Sequence, residues 1–215
     1  MVDLSSPRIL VIGATGPLGR DILTKAAAAG LSFRALARKP EALADFAGRH
    51  EILRGDVTDP ASLDAALQGV EGVICALGTK LTRKPVTLLS EGTKNIVAAM
   101  RGAGAARLIC VTGMGAGDSR GHGGFLYDRI VLPLLLGRIY EDKDRQEAIL
   151  RASGLDWLIV RPAMLTDGPE AGRWRELTAL AGERMTRISR GDVAQFLVGE
   201  ARTPKYSRVA VNLSE

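Results

Sequence analysis

The strongest constraint on this chain is an alternation. Short continuous apolar runs are followed, again and again, by stretches whose apolar residues recur at helical spacing. "RILVIG" (8–13) is such a run, as expected of a strand buried on both faces. "LGRDILTKAAAAG" follows with helical spacing and stops at Gly30. "SFRALAR" (32–38) and "EILRGDV" (51–57) read as the second and third strands. Asp59 as a polar cap and Pro60 at the first turn open a helix over "PASLDAALQGV". The pattern continues with strand "GVICALG", helix "TLLSEGTKNIVAAMRGAG" (87–104) and strand "ARLICVTG". Then come helix "EDKDRQEAILRASG" (141–154), strand "DWLIVRPA", helix "SRGDVAQFLVGEAR" and a last strand "RVAVNL". Repeated strand–helix units imply an α/β fold, a doubly wound parallel sheet with helices on both faces. The 215 residues fit one domain over 1–215. The stretch 113–138 is the least regular. It reads as a small substrate-side insertion, or as a core or subunit-contact helix in its apolar part "IVLPLLLG".

In a doubly wound sheet, ligands bind at the carboxyl ends of the strands where strand order reverses. The first strand-to-helix turn here is "GATGPLG", with Gly13, Gly16 and Gly19 at intervals of three. Gly13 permits the turn, Gly16 permits close approach of a pyrophosphate, and Gly19 lets helix and strand pack. Thr15 adds a hydroxyl donor, and Pro17 and Leu18 complete the turn that would face the cofactor. The following helix presents free N–H groups and a positive dipole end. The second strand ends "ALARKP". A carboxylate there would bind the ribose 2′-hydroxyl of NAD. Arg38 and Lys39 instead suit the 2′-phosphate of NADP. After the third strand, "GDVTD" places Asp56 to accept from an adenine amino group, with Val57 at the ring edge, or leaves Asp56 to cap a turn. "CALGT" ends the fourth strand, where Ala76, Leu77 and Gly78 would pass the middle of the cofactor.

Composition narrows the partners. Net charge is +5, but no run of five or more basic residues occurs, and aromatics are 4% of the chain. Neither a nucleic-acid nor a membrane surface is expected. Cys75 and Cys110 sit in apolar runs and read as buried free thiols. With two histidines, no metal site is expected. The first residues, "MVDLSSPR", have neither the charged head nor the apolar segment of a signal peptide, and a cytoplasmic protein is expected.

In order, "GATGPLG", "ARKP", "GDVTD", "ALGT", "SEGTKNIVAAM", "LRASGLDWLIVRP" and "ISRGDVAQFLV" run through almost the whole chain. Together they resemble the atypical short-chain dehydrogenase/reductase-like NAD(P)H-binding proteins of NmrA-like type. Within them the resemblance is to the NADPH-dependent flavin reductase, or biliverdin reductase B, group. The resemblance implies a monomeric or weakly dimeric Rossmann fold that binds NADP. It also implies hydride transfer to a bulky planar acceptor such as a flavin, quinone or tetrapyrrole. Three positions depart from the pattern. Flavin reductases carry a serine directly after Thr112, where this chain has Gly113. They carry a histidine at the place of Lys143. The wider superfamily uses Tyr-x-x-x-Lys, whereas Tyr140 and Lys143 are one residue closer. Lys143 is expected either to bond the nicotinamide ribose or to pair with Glu147 on the helix surface. Thr112 and Tyr140 are the remaining candidates for a proton-donating role, and Pro162 is expected beside the nicotinamide carboxamide. Three functions compete: an NADPH-dependent reductase, an NADP-binding regulator without turnover, and a sugar-nucleotide epimerase. The last needs a well-placed Tyr–Lys pair.

Overall fold

The computed structural model describes residues 9–125 and 127–215. Arg8, with which the first strand was expected to open, lies outside the described residues, as do the rest of segment 1–8 and Leu126 of the insertion. An eight-stranded sheet forms the centre, in the order β3-β2-β1-β4-β5-β6-β10-β8. The strands are β1 (Ile9–Ile12), β2 (Arg34–Ala37), β3 (Glu51–Arg54), β4 (Gly72–Cys75), β5 (Arg107–Val111), β6 (Asp156–Pro162), β8 (Arg175–Leu177) and β10 (Val209–Ser214). All neighbours pair in parallel except β8, which lies antiparallel on β10 at the edge. The short strands β7 (Met164–Thr166) and β9 (Arg187–Ser189) form a separate parallel ribbon. Three-residue strands such as β7, β8 and β9 are too short to show a periodicity, and the sequence did not suggest them.

The helices are α1 (Pro17–Ala28), α2 (Pro60–Ala66), α3 (Leu88–Ala103), α4 (Gly137–Arg151) and α5 (Arg190–Arg202). Side chains of β1 alternate between two cores. Ile9 and Val11 pack with Ile22 and Leu23 of α1 and Val193 and Leu197 of α5. Leu10 and Ile12 pack with Leu63 of α2, Ile96 and Met100 of α3 and Leu150 of α4. Burying each such side chain is worth about 1.5–3 kcal/mol, so both helical layers are tied to the same strand. Cys75 and Cys110 are buried free thiols facing each other across β4 and β5.

Asp59 caps α2 by accepting from the Ala61 N–H at 3.2 Å, and Pro60 follows. The expected fourth helix begins earlier than its sequence pattern, at Gly137. A wide π-type helical segment, Tyr127–Leu136, leads into it and carries Pro133. Tyr140 therefore sits inside α4, in the turn before Lys143. Among the described residues, no helix is long and apolar enough to cross a membrane.

Candidate functional site

The chain runs β1-β2-β3 outward from the middle of the sheet and then returns to β4 on the other side of β1. A crevice opens at such a reversal, above the carboxyl ends of β1 and β4. Strand register brings Ile12 beside Cys75, and the Ala76 N–H donates to the Ile12 carbonyl at 2.8 Å. Gly13 and Ala76 are therefore the first residues beyond the two strands and form the floor of the crevice.

The three glycines of the turn have separate tasks. Gly13 has φ +85°, and a Cβ there would lie 2.4 Å from the Ala76 carbonyl oxygen. A Cβ at Gly19 would lie 2.2 Å from the Gly13 carbonyl oxygen. Both are demanded by the fold itself. A Cβ at Gly16 meets only the Gly13 oxygen, at 3.3 Å. Its other side faces the cleft. No side chain caps α1. Pro17 lacks an N–H, and the Gly16 N–H turns back to Gly13 at 3.0 Å. The Leu18 and Gly19 N–H groups, in the first turn, have no carbonyl within the helix to receive them. An uncapped helix end beside a glycine with open space could hold a phosphate.

A cleft of about 590 Å³ extends from this turn across the strand ends, a size typical of small-molecule sites. Its wall includes Gly13, Thr15, Gly16, Pro17 and Leu18 from the turn, and Arg38 from the end of β2. Asp56 and Val57 follow β3, Ala76, Leu77 and Gly78 follow β4, and Thr112 and Lys143 lie beyond β5. Three of the expected residues are not on the wall: Lys39, Pro162 and Tyr140. Lys39 is exposed where Pro40 opens a 3₁₀ turn that takes the chain away from the cleft. Pro162 is buried at the end of β6, its carbonyl accepting from the Met114 N–H at 3.0 Å, and Leu165 of β7 reaches the wall instead. Sequence reading also missed Arg190, the first residue of α5, which lines the same cleft.

Asp56 makes the local turn that was one of its two readings. Its Oδ1 accepts from the Thr58 N–H at 2.9 Å and from the Thr58 hydroxyl at 2.8 Å. The Thr58 amide bond, with help from the Arg38 charge, holds its carboxyl below the usual range. Arg38 is exposed at the mouth beside it.

The far end of the cleft is set by α4. The Asp142 carboxylate, fully buried, accepts from the Leu89 N–H at 2.9 Å and from the Ser90 hydroxyl, and so caps α3. One turn on, Gln146 Nε2 donates to Thr93 Oγ1 at 2.9 Å. These two contacts fix the register of α4 on α3 and place Lys143 over the end of β5. Lys143 Nζ donates to the Thr112 carbonyl. Removal from water pulls its pKa down from the ordinary 10.5 to about 8, although Cys110 and Glu147 oppose the shift.

Lys143 does not pair with Glu147, the local partner four residues on. Glu147 is claimed by Arg161: Nε to Oε1 at 2.9 Å and Nη2 to Oε2 at 2.6 Å, with both residues buried. Arg161 also holds Asp118 at 2.5 Å. The Thr112 hydroxyl donates to Glu147 Oε1 at 2.9 Å, so its proton is engaged within the protein.

Tyr140 is likewise engaged. Its hydroxyl and Lys143 Nζ both come within 3.0 Å of the place a Gly113 Cβ would occupy. Tyrosine and lysine fill the space that a serine would need, which accounts for glycine there. The Tyr140 hydroxyl lies 3.0 Å from that of Tyr127, on the segment leading into α4. Burial is the main cause that raises the Tyr140 phenol far above its usual value.

The NAD(P)H-binding family model matches residues 13–204. A Bacillus subtilis protein described as uncharacterized sugar epimerase YhfK is 29% identical, over 97% of this chain and 94% of its own length. The (4-alkanoyl-5-oxo-2,5-dihydrofuran-3-yl)methyl phosphate reductase of Streptomyces griseus is 32% identical over 72% of this chain, which spans only 46% of that protein. In fold, the chain is similar to ChuY, an anaerobillin reductase from Escherichia coli O157:H7, with a TM-score of 0.82, 24% identity and 97% of each chain covered.

Proposed function

For a chain that belongs to the NAD(P)H-binding family, we propose an NADPH-dependent oxidoreductase that reduces a planar conjugated acceptor, a flavin, a quinone or a similar ring system. The observation that carries the reading is the contrast between what lines the cleft and what is engaged within the protein. Arg38 and Lys143 line it, whereas the hydroxyls of Thr112 and Tyr140 are bonded to Glu147 and Tyr127. Among the described residues, the site offers cations for a phosphate-rich cofactor and places no tyrosine hydroxyl on the cleft wall.

The residues of this chain fit the cofactor. Leu18 and Gly19 supply N–H donors at the open Gly16 turn for a pyrophosphate. Arg38, where NAD-binding folds place an acid, suits the 2′-phosphate. Bound NADPH supplies the hydride. Lys143, braced on the Thr112 carbonyl, holds a positive charge at the nicotinamide end. A carbonyl reductase or a sugar epimerase needs a placed acid or base, worth about 10²–10⁴-fold in rate. A flavin or quinone, once reduced, takes its proton from water. The buried Tyr140 therefore favours the planar acceptors over the epimerase named for one relative. The reductases among the relatives and fold neighbours support hydride chemistry in general.

Binding tests the cofactor half. NADPH should bind more tightly than NADH by calorimetry, and Arg38→Asp should abolish or reverse that preference. A lost charged contact of about 1.5–3 kcal/mol corresponds to roughly tenfold or more in Kd. Equal affinities in the unaltered protein would refute the assignment to NADPH.

A further inference from the structure

We propose that Arg190 is a phosphate-binding residue of the dinucleotide cleft, held ready by Asp167, which releases it when the dinucleotide enters. The inference rests on the dinucleotide reading above and adds a residue to it.

Arg190 lies between two spaces. On one side is the main cleft, whose wall it shares with Leu18 and Leu165. On the other is a polar pocket of about 280 Å³ that it shares with Asp21 and Lys25 of α1 and with Asp167 and Glu170 of the loop after β7. The topology explains the position. α5 precedes β10, which is parallel to β6, so α5 must begin at the carboxyl edge of the sheet, where α1 also begins.

Electrostatics make this an uncomfortable place for a lone cation. A positive side chain at the first position of a helix faces the positive end of the helix dipole, an unfavourable arrangement. A guanidinium has no acceptor to offer the free N–H groups of α5; Ser189 caps the helix, its Oγ accepting from the Asp192 N–H at 3.0 Å. Arg190 Nε is buried and has no hydrogen-bond partner among the described residues. A buried donor left unmade is costly. Its counter-ion is Asp167, at 2.8 Å from Nη2, on a side chain that is 82% exposed. Exposed pairs of this kind are weak and give way readily. Of the other carboxylates nearby, Glu170 holds Lys25 at 2.5 Å, and Asp21, whose pKa burial raises, feels the Arg190 charge across the pocket without a direct ion pair to it. A guanidinium on the cleft wall whose buried Nε is unbonded, and whose one direct ion pair among the described residues is to an exposed carboxylate, is set to bind an anionic phosphate. An incoming phosphate would give Nε the acceptor it lacks and would take the place of Asp167 at Nη2.

Titrations with NADPH, NADH and ADP-ribose, by calorimetry and by thermal shift, test the proposal. Arg190→Met should weaken binding by at least about tenfold, the loss of one charge-assisted contact. A loss shared by all three ligands identifies the pyrophosphate as the partner, and a loss confined to NADPH identifies the 2′-phosphate. Asp167→Asn should tighten binding severalfold, a gain that a purely structural role for Arg190 would not produce. The thermal midpoint of Arg190→Met without ligand should change little, since an unfavourable helix-end charge and a weak ion pair with Asp167 are lost together. If all three ligands bind the unaltered protein, and bind Arg190→Met and Asp167→Asn equally well, the Arg190 assignment is overturned and the dinucleotide reading stands. If none of the three binds the unaltered protein, both are overturned together.

Discussion

Replacing Gly16 with valine separates the ligand cradle from the turn that carries it. The backbone at Gly16 is extended, with φ −73° and ψ 163°, which a branched residue adopts without strain. The new Cβ would meet one atom, the Gly13 oxygen at 3.3 Å, so a shift of a few tenths of an ångström accommodates it. The fold should therefore lose about 1 kcal/mol or less, within the range of mild overpacking. The valine methyl groups, however, would project into the space above the Leu18 and Gly19 N–H groups. A phosphate displaced from those two donors loses two charge-assisted bonds of about 1.5–3 kcal/mol each, or two to four decades in Kd. Gly13→Ala is the contrasting change, because its Cβ would lie 2.4 Å from a backbone oxygen at a positive φ. That protein should be destabilised by several times RT, about 1–3 kcal/mol or more. Calorimetric titration with NADPH, together with thermal unfolding of both variants, gives the comparison. A Gly16→Val protein that folds and binds NADPH like the unaltered one would refute the phosphate cradle and leave the glycines as a tight turn alone.

Other perturbations follow from the same geometry. Tyr140→Phe should change turnover of a flavin or quinone by less than about tenfold, below the range of a working proton donor; a collapse of kcat with unchanged cofactor affinity would make Tyr140 a true acid. Lys143→Ala should act mainly by weakening NADPH binding, and in the unaltered protein affinity should fall as pH rises through about 8, where Lys143 loses its charge. Because burial lowers its pKa from 10.5 to about 8, the unfolded chain binds more protons between those values. The Lys143 contribution therefore makes stability rise with pH across that window; denaturant melts of the unaltered protein and Lys143→Met from pH 7 to pH 11 should differ in slope in that sense. Glu147→Ala would leave Arg161 in the core with only the exposed Asp118, among the described residues, as counter-ion, at a cost of up to about 3–5 kcal/mol, measurable by denaturation, while replacing both partners with apolar residues should recover much of it.

The parallel sheet was legible because its central strands, such as β1 and β4, are buried on both faces and so read as unbroken apolar runs. That Gly13, Arg38, Asp56 and Gly78 line one cleft was legible for a related reason: each lies within a few residues of the end of such a strand, and strand ends on one edge must converge. What the sequence hid depends on contacts between distant residues. Glu147 stands four residues after Lys143 and invites a local pair, but the closer match is Arg161, delivered from the neighbouring strand and buried with it. Tyr140 reads as a displaced catalytic tyrosine until Tyr127, thirteen residues earlier, is seen to hold its hydroxyl. Lys39 follows Arg38 in sequence, yet the turn at Pro40 carries it outward. Arg190 left a usable signal: a helix that precedes a parallel strand must start at the ligand edge, so its first residue was a candidate from topology alone.

The central claim, reduction of a planar acceptor by NADPH, is tested most directly by following the loss of NADPH absorbance anaerobically with FMN, FAD, biliverdin and simple quinones, and repeating each assay with NADH. NADPH should be consumed with at least one of these acceptors, faster than NADH, and at a rate largely preserved in Tyr140→Phe. Tight NADPH binding with no consumption by any acceptor would contradict the claim and identify a protein that binds the cofactor without turning it over.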